Sequence, residues 1–420
     1  MRWYLTTICA FGTFLCTLCA AHPSQNSNLL ASQSIFQVPA ALRNVLPYEN
    51  FNRDVSTTWW DTEILSGSST ASTQTMFKSL ESASFVVLNE KFFELLGVQD
   101  YTSTKDIETI FDFPEGPSFA ERVVHDGTVY SPECNCIFFA ELHPPKEGYS
   151  ADAMSWVWRT NLNETPPVTE KVYPSPPLTM ANGAYYHNGS VYWAQEGNWT
   201  VPGGVVCMDP LTLTTEVVLN NFFGHRFNSL NDIVIHQSGV AYFTDGYYGY
   251  DNFNDTLKPE LANGVWRWNM ETGDLRAVLG AGGGPFTNPN GLALNPEEVK
   301  LYITDRGNTS DNPAGGRTIY QYDIKASNTA ASGGYVFAYV DAGFPDGIKL
   351  DKDGRVYGAV TGGVHVFDAD GTFLGIIKVA NGDVAVNMQW VGDTLYIVGR
   401  EHLYRCHLNT TGAQVYSNRA

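Results

Sequence analysis

Basic residues are scarce in this chain, and their scarcity narrows the choice of partners. Lysine and arginine number 25 against 44 aspartate and glutamate residues, which gives a formal net charge of −19. Because so acidic a chain repels phosphate backbones, we expect no nucleic-acid partner. After residue 21 the chain also lacks any apolar run long enough to span a bilayer, so we expect no membrane partner.

Two chemical signatures are missing as well. No Gly-x-Ser-x-Gly elbow is present, which disfavours a serine hydrolase. No second Cys or His pair stands at ligand spacing from Cys134-x-Cys136, which disfavours a zinc knuckle. Once the first 21 residues are set aside, four cysteines remain: Cys134, Cys136, Cys207 and Cys406. An even number in an oxidising compartment allows two disulfides, and the sequence leaves their pairing open.

The first 21 residues have the pattern of a secretory signal peptide. Arg2 precedes an apolar run from Trp3 to Ala21 that ends in small residues, as a signal with its cleavage zone does. The run is short for a membrane anchor and contains polar threonines, which favours a signal. Six N-glycosylation acceptors follow, at Asn163, Asn188, Asn198, Asn254, Asn308 and Asn409. These features predict a secreted glycoprotein.

One short pattern repeats six times along the chain. A turn is followed by a hydrophobic and aromatic segment that often ends in a small or acidic residue. The spacing of roughly 40 to 60 residues is typical of propeller blades; the copies are Cys136–Glu141, Ser190–Ala194, Val240–Asp245, Lys300–Asp305, Arg355–Ala359 and Thr394–Gly399. Further β-type segments lie between them, and no long stretch has helical periodicity. The pattern predicts an all-β fold, a six-bladed β-propeller with four-stranded antiparallel blades, rather than a β-sandwich.

The chain before the repeats differs in composition. Residues 22–80 are rich in Ser, Thr, Asn and Gln and show little periodicity, so we expect an irregular N-terminal extension that wraps the propeller. The propeller then occupies residues 81–420. Ser84–Leu88 is the segment we expect to close the ring against the last blade, because closure removes exposed sheet edges.

Acidic and amide residues stand at one phase of the repeat, shortly before the repeated strand. Asp126, Asn231, Asn290 and Asp346 share this position, and Asn182 is a weaker fifth candidate. Two carboxylates and two amides form an all-oxygen ligand set, which suits Ca²⁺. Zn²⁺, Mg²⁺ and Mn²⁺ remain alternatives. Any single Asn-Gly or Asp-Gly pair is better explained as a turn, but the shared phase of four indicates one metal site in the channel.

The same motifs resemble a known superfamily. Pro289-Asn290-Gly291-Leu292-Ala293 with the strand Leu301–Asp305, and Pro345-Asp346-Gly347-Ile348 with Asp353–Tyr357, resemble the SMP-30/gluconolactonase/luciferin-regenerating superfamily. The segment from Asn220 to Asp232 is most similar to that of fungal secreted lactonohydrolases, which act on aldonic or pantoyl-type lactones. The similarity runs from about Phe85 to the C-terminus.

The resemblance implies roles for particular residues. Asn290 and Asp346 fall on metal ligands of the superfamily, and Asn231 on a residue that contacts metal or substrate. Arg226 stands near a substrate-contacting arginine, and Asn182 is a further candidate for substrate binding. Asp232 matches an aspartate that helps to hold a second, structural Ca²⁺ in some relatives.

The superfamily's first-blade metal ligand is a glutamate in a Glu-Gly-Pro motif. Glu115-Gly116-Pro117 matches the letters, but it stands too far before the strand that contains Phe138. Asp126 fits the spacing without a gap, so we expect an aspartate in place of the glutamate, with Glu121 as the alternative ligand.

These residues predict a metal-dependent lactone hydrolase. A bound cation polarises the lactone carbonyl, and Asp346 is the predicted general base for an attacking water. Two alternatives stay open: another hydrolysis or a tailoring step of a secondary-metabolite pathway on the same metal propeller, and a propeller that binds without catalysis. The sequence leaves the oligomeric state open.

Overall fold

A computed structural model describes most of the chain after residue 70 and little before it. The described residues are 34–39, 55, 57–58, 71–113, 124–142, 155–253, 256–280, 284–306, 316–380 and 382–414. The predicted signal peptide, Glu115, Glu121, Asn254 and Asn308 therefore lie outside the described residues. No helix in the described ranges is long and apolar enough to cross a membrane.

Three short strands and two helices precede the blades. They are β1 (Ile35–Gln37), α1 (Ala71–Ser82), β2 (Phe85–Val87), α2 (Lys91–Leu96) and β3 (Glu108–Asp112). Helix α2 ends at Gly97, whose φ of 69° is left-handed, a conformation that glycine adopts without strain. Helix α1 covers the end of the extension that we expected to be irregular, and most of that extension lies outside the described residues. Its sequence is rich in Ser and Thr, so helical periodicity is weak there.

Six antiparallel sheets follow and form the blades. Blade one contains β4 (Val124–Ser131), β5 (Cys136–Leu142), β6 (Ser155–Asn161) and β7 (Val168–Val172). Blade two contains β8 (Ala181–His187), β9 (Ser190–Gln195), β10 (Gly204–Met208) and β11 (Thr215–Leu219). Blade three contains β12 (Leu230–Ile235), β13 (Val240–Asp245), β14 (Gly264–Asn269) and β15 (Leu275–Leu279).

The second half of the ring repeats the arrangement. Blade four contains β16 (Pro289–Leu294), β17 (Lys300–Asp305), β18 (Thr318–Ile324) and β19 (Ala331–Tyr339). Blade five contains β20 (Ile348–Leu350), β21 (Val356–Val360), β22 (Gly363–Phe367) and β23 (Phe373–Lys378), and blade six contains β24 (Ala385–Val391), β25 (Thr394–Gly399) and β26 (His402–His407). A π-helix (Gly249–Phe253) and a 3₁₀ turn (Ala326–Asn328) lie in loops.

The first strands of the blades form a closed ring. Strands β4, β8, β12, β16, β20 and β24 contact one another in that order, and β24 also contacts β4. Each predicted repeat is the second strand of its blade. The six-bladed propeller is thereby confirmed, and the sandwich alternative is wrong.

The repeated strands are hydrophobic on both faces because each blade packs between two neighbours. On β13, Val240 and Tyr242 join a buried cluster with Leu301 of blade four. The alternate residues Ala241 and Phe243 join a different cluster that reaches back to blade two. Because successive side chains of a strand point to opposite faces, an uninterrupted apolar run is what a strand between two blades requires.

The closing strand differs from the prediction. β2, within the predicted Ser84–Leu88, pairs with β23 of blade five, and β1 adds to its far side in parallel. Blade six is completed instead by β3, which pairs antiparallel with β26. The apolar β2 is buried along its length, as an internal strand must be. The closing strand β3 is an outer edge, so its sequence is largely polar and exposed.

The structure also bears on the predictions of disulfides and of glycosylation sites. Cys134 and Cys136 form a disulfide at the β4–β5 turn, whereas Cys207 and Cys406 are free thiols on different blades. Among the predicted glycosylation sites, Asn163, Asn188 and Asn409 are exposed. Asn198 is only 3% exposed, and its Oδ1 accepts hydrogen bonds from the backbone N–H groups of Thr200 and Val201. This arrangement disfavours a glycan on Asn198 in the folded protein.

Candidate metal centre at one end of the channel

Each blade places one acidic or amide residue where its first strand begins. Asp346 precedes β20, and the other five lie on the strands themselves: Asp126 on β4, Asn182 on β8, Asn231 on β12, Asn290 on β16 and Asn387 on β24. The register with the second strand shifts beside all five. Such bulges change the direction in which a side chain points. The position that these residues share within the sequence repeat therefore corresponds to one end of the channel.

The glycines that follow these residues are explained by close packing of the first strands. A Cβ on Gly183 would lie 2.2 Å from Asp232 Oδ1, and one on Gly291 would lie 2.6 Å from the backbone oxygen of Asp346. Neither glycine has a positive φ. The turn explanation is therefore wrong for these two positions. Gly127, after Asp126, does need its φ of 74°.

Threonine hydroxyls hold neighbouring first strands together. Thr244 Oγ1 accepts from the backbone N–H of Asp232 (3.0 Å) and donates to the backbone oxygen of Asn290 in the next blade (2.6 Å). Thr304 repeats this one blade further, because it accepts from Gly291 N–H and donates to the Asp346 carbonyl oxygen, both at 2.7 Å. These bridges fix the backbone from which Asn290 and Asp346 project.

Three amide oxygens of the predicted set are buried without a hydrogen-bond partner. They are the Oδ1 atoms of Asn182, Asn231 and Asn290. The Nδ2 groups of Asn182 and Asn290 are held, since they donate to Glu196 Oε1 (2.5 Å) and to the Tyr248 hydroxyl (3.1 Å). A buried acceptor without a partner is costly. Three of them on consecutive first strands are free to bind a cation.

The two carboxylates are also poorly compensated. Burial, followed by the charges of Asp346 and Asp232, raises the pKa of Asp126 well above its ordinary value. Burial raises the pKa of Asp346 too, although Arg306 and Arg400 oppose this change. Close carboxylates in a dry site repel each other until a proton or a cation intervenes.

The donor set fits a hard divalent cation. Asp126, Asn231, Asn290 and Asp346 supply only oxygen atoms, which Ca²⁺ and Mg²⁺ prefer over nitrogen or sulfur. Within the described ranges, no group of three His, Cys, Asp or Glu side chains is arranged to hold a metal. A cation at this position would therefore need amide oxygens among its ligands, and such a set favours Ca²⁺ or Mg²⁺ over Zn²⁺.

Sequence reasoning missed four polar residues at this end of the channel. Asn387 donates from Nδ2 to Asp126 Oδ1 and completes the six-fold set. Glu196 is fully buried and accepts hydrogen bonds from Asn182 and from the Ser229 hydroxyl. Arg306 and Arg400 supply the positive charge. Asn387 has the same position in the repeat as the predicted residues, but Met388 follows it where most of them have a glycine. Glu196, Arg306 and Arg400 directly follow second strands, and we sought no polar pattern there in the sequence.

Two residues implied by the resemblance have structural contacts. The Arg226 guanidinium donates to the backbone oxygens of Asn198 (2.7 Å) and Val201 (3.0 Å), so it holds that loop. Asp232 accepts from the backbone N–H groups of Ile233 and Leu292. Burial raises the pKa of Asp232, and the charge of Lys349 counteracts it. The Asp232 carboxylate therefore links blade three to blade four by a hydrogen bond. The positive charge of Lys349 already offsets its negative charge in part.

Fold and site together define a six-bladed propeller with an oxygen-donor centre at one end of its channel. The chain belongs to the SMP-30/gluconolactonase/LRE-like family, whose pattern matches residues 161–399.

Named relatives agree with this assignment. The chain is 27% identical over 371 residues to the lactonohydrolase oryL of Aspergillus oryzae, which covers 82% of this chain and 79% of the relative. It is 34% identical over 227 residues to the gluconolactonase of Zymomonas mobilis, or 51% of this chain and 61% of the relative. Among solved structures, the gluconolactonase XC5397 of Xanthomonas campestris has a TM-score of 0.60 at 20% identity and covers 77% of this chain and 95% of its own. The last likeness establishes the fold alone.

Proposed function

We propose that this protein is a secreted, glycosylated lactone hydrolase that binds one divalent cation, Ca²⁺, through Asp126, Asn231, Asn290 and Asp346. The observation that supports the cation site most directly is the set of unpartnered amide oxygens beside two buried carboxylates. Relatives named lactonohydrolase and gluconolactonase support the reaction. We expect an aldonic or pantoyl-type lactone as substrate, and Asn182 beside the centre as a substrate contact.

The cation and the residues of the centre have different roles in the proposed reaction. When bound, the cation supplies Lewis acidity to the lactone carbonyl and lowers the pKa of a nearby water. Asp346 takes the proton from the attacking water, and the ring C–O bond breaks as the same proton passes to the leaving alkoxide oxygen. Arg306 and Arg400 favour the ionised form of Asp346, which is the form that both a cation ligand and a proton acceptor require. No covalent intermediate is required.

The proposal is tested by the hydrolysis of a lactone panel followed with a pH indicator. Aldonolactones, pantoyl lactone and butyrolactone are offered to the protein with EDTA and after Ca²⁺ is returned. We expect EDTA to stop turnover and Ca²⁺ to restore it. Asp346→Asn removes the proton acceptor but preserves the shape of the side chain, so turnover falls about a hundred- to ten-thousandfold.

Asp393→Asn is the matched control, because Asp393 is an exposed turn residue of blade six. It should retain the activity of the unmodified protein. Near-normal turnover in Asp346→Asn, with the melting temperature unchanged, would show that the general base has been assigned to the wrong residue.

A further inference from the structure

Arg306 stands at the same end of the channel as the proposed cation site. It directly follows β17, and its backbone N–H donates to the backbone oxygen of Asn288 at 3.1 Å. Asn288 immediately precedes β16, the strand that carries Asn290. Because first and second strands are antiparallel, the end of β17 lies beside the beginning of β16. The backbone therefore places Arg306 next to the centre.

The charge of Arg306 interacts with carboxylates of the centre, but no hydrogen bond joins its guanidinium to any of them. It lies within electrostatic reach of Asp346, Asp126 and Glu196, each of which is buried. It is partly exposed and forms no side-chain hydrogen bond or ion pair with any residue in the described ranges. Arg355, by contrast, donates to both Asp351 and Asp353. The donors of Arg306 are thus available to a ligand.

A second arginine has the equivalent position in blade six. Arg400 directly follows β25, its backbone N–H donates to Asp383 Oδ1 at 2.9 Å, and its charge also acts on Asp346. Asp346 belongs to blade five, so the two arginines flank it from both neighbouring blades. Arg306 and Arg400 are close enough to repel each other.

Arg306 and Arg400 place positive charge on both sides of Asp346. Positive charge of this kind, on the Arg306 guanidinium that has no hydrogen-bonded carboxylate among the described residues, favours an anionic group on the ligand.

We infer that Arg306 binds a carboxylate carried by the substrate in addition to its lactone ring, so that the substrate is an acidic lactone, such as the monolactone of an aldaric acid. This inference rests on the proposed function and assigns an acidic lactone as preferred substrate in place of the aldonic or pantoyl-type lactone expected there. The planar guanidinium pairs with a carboxylate through two parallel N–H···O bonds. The ring carbonyl belongs to the cation site, and Arg306 takes the second acidic group.

The competing explanation is that Arg306 only reduces repulsion among the carboxylates of the centre. In that case its loss would change the hydrolysis of neutral and acidic lactones by the same factor. Binding of a second carboxylate instead predicts that the loss falls on the acidic lactone. The ratio of the two kcat/KM values is therefore the decisive quantity, and most of its change should be in KM.

The experiment compares the 1,4-lactone of glucaric acid with the 1,4-lactone of gluconic acid, which differ only in a carboxylate that replaces a terminal hydroxymethyl group. We expect the wild-type protein to prefer the glucaric lactone. Arg306→Gln should reduce this preference about ten- to hundredfold, the loss typical of a charge-assisted hydrogen bond. Arg306→Lys keeps the positive charge but loses the two parallel N–H donors of the guanidinium, so it should recover part of the preference. Arg276→Gln removes a surface arginine that pairs with Asp274 and should leave the preference intact.

Calorimetric binding of the open-chain products separates this inference from the proposed function. Wild-type protein in Ca²⁺ should bind glucarate more tightly than gluconate, and Arg306→Gln should lose the difference, whether or not either lactone is hydrolysed. Failure of all hydrolysis would contradict the proposed function alone. An equal affinity for the two products in the wild type, or a preference that persists in Arg306→Gln, overturns the inference.

Discussion

Asn387 and Asp126 are 261 residues apart in the chain, yet the Asn387 amide donates directly to the Asp126 carboxylate. The same carboxylate oxygen accepts the backbone N–H of Gly127 at 2.8 Å. These two donors are the interactions that lower the pKa of Asp126 against the effects of burial and of neighbouring charges. At the scale of single residues, the proposed ligand of blade one thus depends on a side chain of blade six.

Asn387→Ala should weaken Ca²⁺ binding about ten- to hundredfold, the usual effect of removing a group that orients a metal ligand. Without this donor the Asp126 carboxylate is harder to ionise and freer to rotate. Calcium titration by calorimetry at neutral pH measures the change. Asn221→Ala, at an exposed position that is not a predicted glycosylation site, is the control. An unchanged affinity in Asn387→Ala would mean that Asp126 is not a ligand.

Asp245 provides a prediction about pH. Its carboxylate accepts the backbone N–H groups of Asn228 and Ser229, and burial raises its pKa from 3.8 to about 7. Between these values the folded protein holds a proton that the unfolded chain has released. The stabilisation is therefore complete at the acidic end and is lost as the pH rises towards 7.

Asp245→Asn should remove this contribution to the pH dependence. The melting temperature of the wild type should fall, relative to that of the variant, as the pH rises from about 4 to about 7. Differential scanning fluorimetry across this range tests it, with Asp323→Asn at an exposed position as control. Parallel curves for wild type and Asp245→Asn would contradict the assignment.

At the scale of elements, the closing strand β3 has a structural importance that its sequence conceals. Glu108 of β3 accepts two hydrogen bonds from the Arg405 guanidinium on β26 (2.8 and 3.0 Å), and Phe111 packs on Trp158 of blade one. Thr109→Pro removes a strand N–H and restricts the backbone. We expect a melting temperature several degrees lower, because the ring loses its closure.

The control for this change lies two residues before the strand. Asp106 is exposed and outside any strand, so Asp106→Pro should have little effect on the melting temperature. If the two variants melt together with the wild type, β3 does not hold the ring closed.

The elements that the sequence predicted well are those whose burial follows a simple rule. The second strand of each blade is packed against both neighbouring blades, and a buried apolar run of residues identifies it in the sequence. β3 was missed because an edge strand is half exposed, and α1 because few of its residues are apolar. In the centre, the phase of the repeat predicted Asp126, Asn182, Asn231, Asn290 and Asp346. Glu196, Arg306 and Arg400 become neighbours only when the ring closes, which no local pattern records.

At the scale of the whole molecule, a cation at the centre would add a further link between blades that packing and hydrogen bonds already join. The proposed ligands come from blades one, three, four and five. A ligand that binds only the folded state stabilises it by about 2.7 kcal/mol at a concentration of 100 Kd. We therefore expect EDTA to lower the melting temperature by a few degrees and Ca²⁺ to restore it. Asp346→Asn should reduce this difference, and a melting temperature insensitive to EDTA and Ca²⁺ would contradict the proposed site.

The pairing of β3 with β26 also has a consequence for the time course of biosynthesis. Glu108 and Arg405 are separated by 297 residues, and a ribosome adds about 5 to 20 residues per second. The N-terminal strand therefore leaves the ribosome roughly 15 to 60 seconds before its partner exists. During that interval its backbone donors and acceptors have no native partner. Ring closure is consequently a late event, completed only when nearly the whole chain has been made.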